Sequence, residues 1–462
     1  MLNPWISAAD IRDMLDFSDA TVLIVDSAFI EKAREIKDMA PPALRHILVI
    51  SEKDDIEVGL DSYSDLVERA SDLIPLDHYI SDETAPMTIN FTSGTTGRPK
   101  GVMSSHRAIY LNAIGQGYML GLARSSHYLW TLPMFHVNGW CHIWTNVAVG
   151  ATQIVLPGTE IRGKEANLID LIPTYGITHL CGAPRLVRAL AEIAGESQQL
   201  SGVTITTGGA APSPMLITQL EAMGVNFVHQ YGLNETLGPF VVCEEQDHWQ
   251  ALSPEQRAQK RCRQGLASLH AGTGLRVVDD NGNDVPADGR TLGEVVMSGN
   301  TVAIGYYKNP EATQKSFING WFHSGDMAVV YPDGYLEIRD RIKDLIYIET
   351  DYGWENISSG EVENALCRFA GIRDAAVVGV ALAEDGENAG QSLIAFLEKA
   401  AQTEINLSDL DAWIVQVLPP HKRPEFIFFS TLPKTATGKV RKDLLVADAR
   451  NRVKVSSVSS QI

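Results

Sequence analysis

Short apolar runs alternate with helical patterns along this chain, and that alternation restricts its fold class more than any other feature. Ala8-Ala9-Asp10-Ile11-Arg12-Asp13-Met14-Leu15 spaces its apolar residues as an amphipathic helix does, and the apolar run Thr21-Val22-Leu23-Ile24-Val25 follows it. His46-Ile47-Leu48-Val49-Ile50 is a second β-rich run, and the pattern returns at Thr152-Gln153-Ile154-Val155-Leu156 and His179-Leu180-Cys181. Helix-then-strand order with apolar strands predicts α/β layers with buried strands. A turn-rich stretch, Asp279-Asp280-Asn281-Gly282-Asn283-Asp284, marks a hairpin. Beyond it Gly293–Gly299 and Tyr335–Ile338 alternate as exposed-face strands do, which predicts a small β-rich subdomain. After Lys343 the α/β pattern resumes, with a helix near Gly360 to Phe369, strands near Ala375 to Val380 and Ser392 to Leu397, and a helix near Leu407 to Leu418. Residues Val455 to Ser460 read as a disordered tail.

Thr92-Ser93-Gly94-Thr95-Thr96-Gly97-Arg98-Pro99-Lys100-Gly101 packs three glycines, four hydroxyl side chains and two cations into ten positions. Glycine lets the backbone turn its N–H groups toward an anion, the hydroxyls add donors, and Arg98 and Lys100 add charge, so the loop suits a polyphosphate. The Gly-x-x-x-x-Gly-Lys-Ser/Thr spacing of a Walker A loop is not present. Standing alone, the same stretch also reads as a surface turn.

Further segments follow it. They are Met134-Phe135-His136-Val137-Asn138-Gly139-Trp140, Gly208-Gly209-Ala210-Ala211-Pro212, Tyr231-Gly232-Leu233-Asn234-Glu235-Thr236, Trp321-Phe322-His323-Ser324-Gly325-Asp326, Asp340-Arg341-Ile342-Lys343-Asp344 and Pro433-Lys434-Thr435-Ala436-Thr437-Gly438-Lys439. In content and order this series resembles the adenylate-forming (AMP-binding) superfamily, and its wording is closest to the acyl-CoA synthetases. The resemblance implies a large N-terminal domain, residues 1–341, of layered α/β subdomains with a small β-rich one. A small, mobile α+β C-terminal domain, residues 342–462, would hinge on it at Lys343.

The implied reaction is attack of a carboxylate on the α-phosphate of ATP, giving an acyl-adenylate and pyrophosphate, followed by transfer of the acyl group to CoA. Both reactants are anionic, so the protein must align them and neutralise the charge that builds on phosphorus oxygens. By resemblance Thr92, Ser93, Gly94, Thr95, Thr96, Gly97 and Lys100 hold the β- and γ-phosphates, and Glu235 holds Mg²⁺. Gly209, Ala210 and Ala211 lie against the adenine, and Tyr231 flanks it. Asp326 accepts from the ribose hydroxyls, with Arg341 as a nearby ribose and phosphate contact. Lys439 bridges carboxylate and α-phosphate. His136 and Trp140 stand beside the acyl pocket, where a positioning role is expected for His136, since a carboxylate needs no general base at neutral pH.

Net charge is −19, so no extended surface for nucleic acid or an anionic membrane is expected. A polyphosphate must then be held by local donors against the global field. The remaining partner implied is a small-molecule carboxylic acid, whose identity the chain does not disclose; nor does it disclose an oligomeric state. Cys141, Cys181, Cys243, Cys262 and Cys367 are scattered and odd in number, which suggests neither a zinc site nor a disulfide framework. Asp10, Asp13, Asp16 and Asp19 stand where a signal peptide would carry basic and apolar regions, and no apolar run approaches a membrane span. A cytoplasmic protein is the expectation.

Three departures qualify the resemblance. Family members carry several more elements ahead of the region that Asn3-Pro4 resembles, so this chain is expected to be short at its N-terminus. Asn234 stands where the family has threonine; asparagine keeps a carbonyl acceptor and adds donors. After the hinge, the family's Ser-Gly-Gly-Glu-Asn loop, which makes room for pantetheine, is replaced by Tyr347-Ile348-Glu349-Thr350-Asp351-Tyr352-Gly353-Trp354-Glu355-Asn356. It is longer, and Trp354 occupies a position usually held by glycine. Either the insertion bulges outward, or the indole closes the tunnel and the adenylate passes to an amine, a carrier-protein thiol or, in a diazotase, forms from nitrite. A third reading is a silent nucleotide-binding relative, against which stand Lys100, Glu235, Asp326, Arg341 and Lys439.

Overall fold

The computed structural model describes residues 1–51, 60–70, 80–92, 99–156, 165–195, 199–209, 211–272, 274–350, 353–381, 391–400, 403–434 and 440–459, with the backbone alone at 166, 349, 350, 353–356 and 453–459.

Seven strands form the largest sheet, in the order Leu266–Ala267, Gly238–Val242, Asn226–Leu233, Thr204–Thr207, His179–Cys181, His127–Leu129, Thr152–Ile154. The five from Asn226–Leu233 onward are parallel, and the first two are antiparallel additions at one edge. Parallel strands are buried on both faces, and His179–Cys181 is buried at every position. Side chains alternate between faces. Leu129 and Leu180 join a core with Leu168, Val187, Leu190 and Ile217 of the helices Glu165–Tyr175, Pro184–Ala194 and Pro214–Ala222. Their neighbours Tyr128 and Cys181 join a second core on the opposite face, with Leu120 and Trp130. The helices His106–Leu120 and Val137–Val149 cover that face. Truncating a fully buried side chain such as Leu190 to alanine costs roughly 2–5 kcal/mol.

Local chemistry sets the ends of these helices. Proline opens Pro184–Ala194 and Pro214–Ala222, where its missing N–H has no intrahelical partner to lose. The Ser105 hydroxyl accepts from the Ala108 N–H at 3.1 Å and starts His106–Leu120, which Gly121 ends at φ +65°.

A three-stranded sheet, Gly305–Tyr306, Lys100–Ser105, Pro86–Thr92, carries the glycine-rich loop between its last two strands, whose end pair is Thr92 opposite Lys100. The β-rich subdomain is present as a five-stranded antiparallel sheet built from Gly274–Val278, Gly293–Ser298, Phe317–Ile318, Trp321–Val330 and Leu336–Arg341. The expected turn follows its first strand, where the Gly282 N–H donates to the Asp279 carbonyl at 2.9 Å.

Toward the C-terminus, Ile372–Ala381, Gln391–Lys399 and Phe426–Phe429 form a sheet. Ser359–Leu366 and Leu407–Val417 pack on one face, and Lys442–Ser459 packs on the other. The expected tail is corrected here: the backbone stays helical to Ser459. Leu445 and Ala449 are buried and anchor the first turns, after which each added residue closes one more hydrogen bond. The expected loop insertion is a two-stranded hairpin, Ile346–Thr350 with Gly353–Ile357, in which Trp354 pairs with Glu349 in backbone register. Where its indole points lies outside the described residues.

Hydrogen bonds from Ser358 and Ser359 tie the C-terminal sheet and its helices to the strand Leu336–Arg341. The Ser358 hydroxyl donates to the Arg339 carbonyl at 2.6 Å, and the Ser359 N–H donates to Asp340 Oδ2 at 2.6 Å. Lys442 caps this junction, bonded to the Ser359 hydroxyl and, at 2.8 Å, to half-buried Glu363. The turn Ile342–Asp344, which contains Lys343, lies just beyond.

Candidate active site

Three segments distant in sequence meet beside the glycine-rich loop. Lys100 opens its strand there, and its ammonium lies 4.6 Å from the centre of the Tyr306 ring. The Tyr306 hydroxyl donates to Glu235 Oε1 at 2.8 Å. Burial, then the Glu235 charge, pushes the Tyr306 phenol well above its ordinary range, so it remains a donor. Glu235 sits in the single turn Asn234–Thr236, which the chain enters from Asn226–Leu233 and leaves through Leu237 at φ +57°. Gly232 is required just before it, because a Cβ there would lie 1.8 Å from the Gly238 carbonyl oxygen.

Among the described residues no salt bridge to a carboxylate is formed by Lys100, whose contact is the Tyr306 ring, and the buried Asn234 Oδ1 has no hydrogen-bond donor. An uncompensated cation and an orphaned acceptor beside a carboxylate fit a magnesium-bound polyphosphate. The donor set is made of oxygens, as Mg²⁺ prefers.

A second cluster lies on the β-rich sheet. Asp326 and Arg341 are directly opposed across Trp321–Val330 and Leu336–Arg341, with Arg341 Nε 3.0 Å from Asp326 Oδ1. The Tyr231 hydroxyl donates to Asp326 Oδ2 at 2.7 Å. Burial and then Asp326 raise the Tyr231 phenol well above its ordinary value. The approach to Asp326 is braced in turn: Glu294 accepts from the Gly325 N–H at 2.9 Å and pairs with His323 at 2.7 Å. Asp326 is 3% exposed, so its position is set by the fold and not by solvent.

Tyr231 and Glu235 share one strand and its turn, so the two clusters are linked by a few residues of backbone. Gly208 and Gly209 run alongside that strand, the ideal Cβ of Gly208 falling 3.0 Å from the Gln230 carbonyl. Gly209 has φ +90°, and Ala211 is exposed just before the helix Pro214–Ala222. Asn138, His142, Cys181 and Gln230 line a small cavity with these glycines. His136 is half-buried at the N-cap of Val137–Val149, its ring 4.7 Å from Phe135. Trp140 lies deeper on the same helix, edge-on to Trp144 and packed with Ala108, Ile109 and Leu237.

Of the residues singled out from sequence, Thr92, Lys100, Tyr231, Asn234, Glu235, Asp326 and Arg341 thus fall into two connected clusters, with Gly209 and Ala211 alongside. Ser93, Gly94, Thr95, Thr96, Gly97, Ala210 and Lys439 lie outside the described residues. Sequence reasoning missed Tyr306, which bridges Lys100 and Glu235, and Glu294, which holds the Asp326 approach. It also missed His142 and Gln230 in the cavity wall. No local motif marks them; only tertiary proximity does.

Fold and site together define a nucleotide-using enzyme with a large α/β part, a β-rich subdomain and a smaller C-terminal part. Residues 1–307 match the AMP-binding enzyme family, and residues 361–439 match the AMP-binding enzyme C-terminal domain. The chain belongs to the AMP-binding enzyme family, on its acyl-CoA synthetase side. It is 36% identical to acetate–CoA ligase CCL3 of Humulus lupulus, covering 97% of this chain and 81% of that one. It is 35% identical to 4-hydroxybutyrate–CoA ligase 2 of Metallosphaera sedula, over 97% of this chain and 80% of the other. Among solved structures, the anthranilate CoA ligase AuaEII in complex with anthranoyl-AMP superposes with TM-score 0.81 at 25% identity, covering 98% of this chain and 83% of that one.

Proposed function

We propose that this enzyme activates a short carboxylic acid in the cytoplasm, using magnesium-bound ATP, and passes the acyl group to CoA. The overall chemistry is that of an acid–thiol ligase. A carboxylate oxygen attacks the α-phosphorus, the bond to the β-phosphate oxygen breaks, and pyrophosphate leaves. The CoA thiol then attacks the acyl carbon, AMP departs, and the thiol proton goes to solvent.

The observation that carries the site assignment is the paired arrangement of Asp326 with Tyr231 and Arg341, and of Glu235 with Tyr306 and Lys100, at the two ends of one strand-turn unit. Asp326 is a buried acceptor suited to a ribose diol, and Arg341 stands over it with a half-exposed guanidinium. Lys100 supplies charge to the β- and γ-phosphates together with Thr92 and the loop residues Ser93, Gly94, Thr95, Thr96 and Gly97. Magnesium, held by Glu235 with Asn234 beside it, would neutralise phosphate charge. Gly209, Ala210 and Ala211 leave room for the adenine, Tyr231 flanks it, and Lys439 serves the adenylation step.

We assign the domain boundary to Arg341 and Ile342, with Lys343 as hinge. Trp140, wedged among Trp144, Ile109 and Leu237 below His136, closes the acyl side and favours a short acid. The relatives named for acetate and 4-hydroxybutyrate agree with that size.

The test is AMP release from ATP and Mg²⁺ across short, aromatic and long-chain acids, with and without CoA. CoA-dependent AMP and a thioester from a short acid are expected. AMP formed equally without CoA would reject CoA as acceptor; amines and carrier thiols would be tried in its place, and nitrite in place of the acid. A preference for long or aromatic acids would reject the size assignment.

A further inference from the structure

The strand that carries Asp326 does not pair evenly with its neighbour. Val296 stands opposite His323 but Glu294 stands opposite Met327, so the single residue Val295 faces the three residues Ser324, Gly325 and Asp326. The extra chain forms a bulge, a device that re-aims a side chain beside a site and leaves backbone groups outside the ladder. Those groups must find partners elsewhere. Here side chains supply them. The Gly325 N–H donates to Glu294 Oε1 at 2.9 Å, the Asp326 N–H donates to the Ser324 hydroxyl at 3.0 Å, and that hydroxyl donates to the Val295 carbonyl at 2.6 Å. Gly325 has φ +71°, and among the described residues nothing lies within 4 Å of its ideal Cβ. Glycine is needed there for its backbone angle and not for space.

Glu294 is itself fixed. Its Oε2 lies 2.7 Å from His323 Nδ1, so one carboxylate joins the residue before the bulge to the glycine within it. A hydrogen bond to an ionised acceptor is stronger than one to a neutral acceptor. The consequence falls on the next residue, Asp326, whose Oδ1 faces Arg341 Nε at 3.0 Å and whose Oδ2 faces the Tyr231 hydroxyl at 2.7 Å. A carboxylate that grips a vicinal diol must meet two hydroxyls at once, so it is sensitive to tilt where a single contact is not.

We propose that Glu294 is a positioning residue for the nucleotide: by holding the Gly325 N–H it fixes the tilt of Asp326, and with it the preference for a ligand that carries a ribose diol. The inference rests on the assignment of Asp326 to the ribose and deepens it. Glu294 acts through Asp326 and is assigned no contact with the nucleotide. Losing it strips the Gly325 N–H of its acceptor and lets the bulge relax. Affinity for the diol then falls, while binding of the base and the phosphate, which are assigned to other segments, is kept.

The experiment is calorimetric titration of the intact protein with AMP and with 2′,3′-dideoxy-AMP, in wild type, Glu294→Ala, Glu294→Asp and Glu294→Gln. Wild type should bind AMP at least about tenfold more tightly than the dideoxy nucleotide, which lacks the diol. Glu294→Ala should weaken AMP by about tenfold and leave the dideoxy nucleotide within about twofold of wild type. Glu294→Asp keeps the charge but sets it back from Gly325; it should show the same selective loss, and it carries the test if the alanine variant does not fold. Glu294→Gln retains an acceptor of the same reach and should recover most of the preference. In an Asp326→Asn background, where the grip is already weakened, Glu294→Ala should cost little more. Unchanged AMP affinity in the alanine and aspartate variants would overturn the proposal. So would equal losses for the two nucleotides, the mark of a merely structural role, additive losses in the double variant, or a glutamine variant as impaired as the alanine one. A wild-type protein that binds both nucleotides equally would remove the ribose assignment itself, and this inference with it.

Discussion

The Tyr306 hydroxyl donates to Glu235 across 2.8 Å while the Lys100 ammonium sits 4.6 Å from the centre of the same ring. One phenol thus orients the carboxylate assigned to magnesium and spaces the cation assigned to phosphate. Tyr306→Phe removes only the hydroxyl, leaving the ring packed against Phe317. A charge-assisted bond of about 1.5–3 kcal/mol is lost. The expected result is an adenylation rate at least tenfold lower at limiting Mg²⁺, partly restored at high Mg²⁺. AMP release titrated against Mg²⁺ checks it; an unchanged metal requirement would detach Tyr306 from the site.

Asp326 accepts from Tyr231 and pairs with Arg341, and Asp326→Asn keeps the shape but removes the charge. Arg341 is 42% exposed and water screens much of its loss. The main effect should fall on the ribose contact assigned to Asp326, on the order of 2–3 kcal/mol, or roughly 30- to 150-fold weaker AMP binding. Tyr231→Phe should cost less, because it removes a donor that Asp326 replaces with the ribose. Calorimetric titration with AMP compares the two, and equal losses would contradict the assigned roles.

Lys439→Ala should lower adenylation by roughly 10²–10³, the usual worth of a preorganised cation at a transition state. ATP binding should change little, since the β- and γ-phosphates are assigned to Lys100 and the loop. Single-turnover adenylate formation beside equilibrium ATP binding separates the two quantities, and normal turnover would remove Lys439 from the mechanism.

Acid stability carries a sign that follows from two buried rings. Burial lowers His142 and His229 from 6.5 to about 4, each with its Nδ1 bonded to a carbonyl, of Asn138 and Arg263. The unfolded chain therefore takes up these protons first, so their contribution is intact above about pH 6.5 and erodes as pH falls toward 4. At full extent it is roughly 3 kcal/mol per ring. Glu363, raised by burial, works in the opposite direction, since the folded state protonates it first as pH falls. Urea unfolding at pH 7 and pH 4.5 for wild type and His142→Phe isolates one ring; the variant should lose less stability on acidification, and equal losses would refute the burial argument.

Much of the site was legible because its residues lie within short motifs on predictable elements. Ser-Gly-Asp lies within a strand whose partner begins with the alternating Leu336-Glu337-Ile338 and closes on Asp340-Arg341, so Asp326 and Arg341 were already close in sequence. Tyr231 and Glu235 share one segment. Tyr306 escaped notice because Gly305-Tyr306 is a two-residue strand with no periodicity to read, and its link to Glu235 is made by tertiary contacts: pairing with Lys100–Ser105 and the bond from the Ala303 N–H to the Glu235 carbonyl. His142 was equally silent: a histidine on an apolar helix face is ordinary until its two nitrogens are seen in different surroundings.

Hydrophobic period and turn chemistry are local properties, so the sequence alone determined the α/β layering, the β-rich subdomain, the glycine-rich loop and the order of the motifs. It did not determine the C-terminal helix through Ser459, whose composition reads as a tail until Leu445 and Ala449 are buried. Nor did it determine which polar groups are left unpaired. Whether Asn234 Oδ1 or His142 Nε2 finds a donor depends on every neighbour that folding brings within about 3 Å. Those neighbours come from separate strands and helices, and only the tertiary structure decides where they stand.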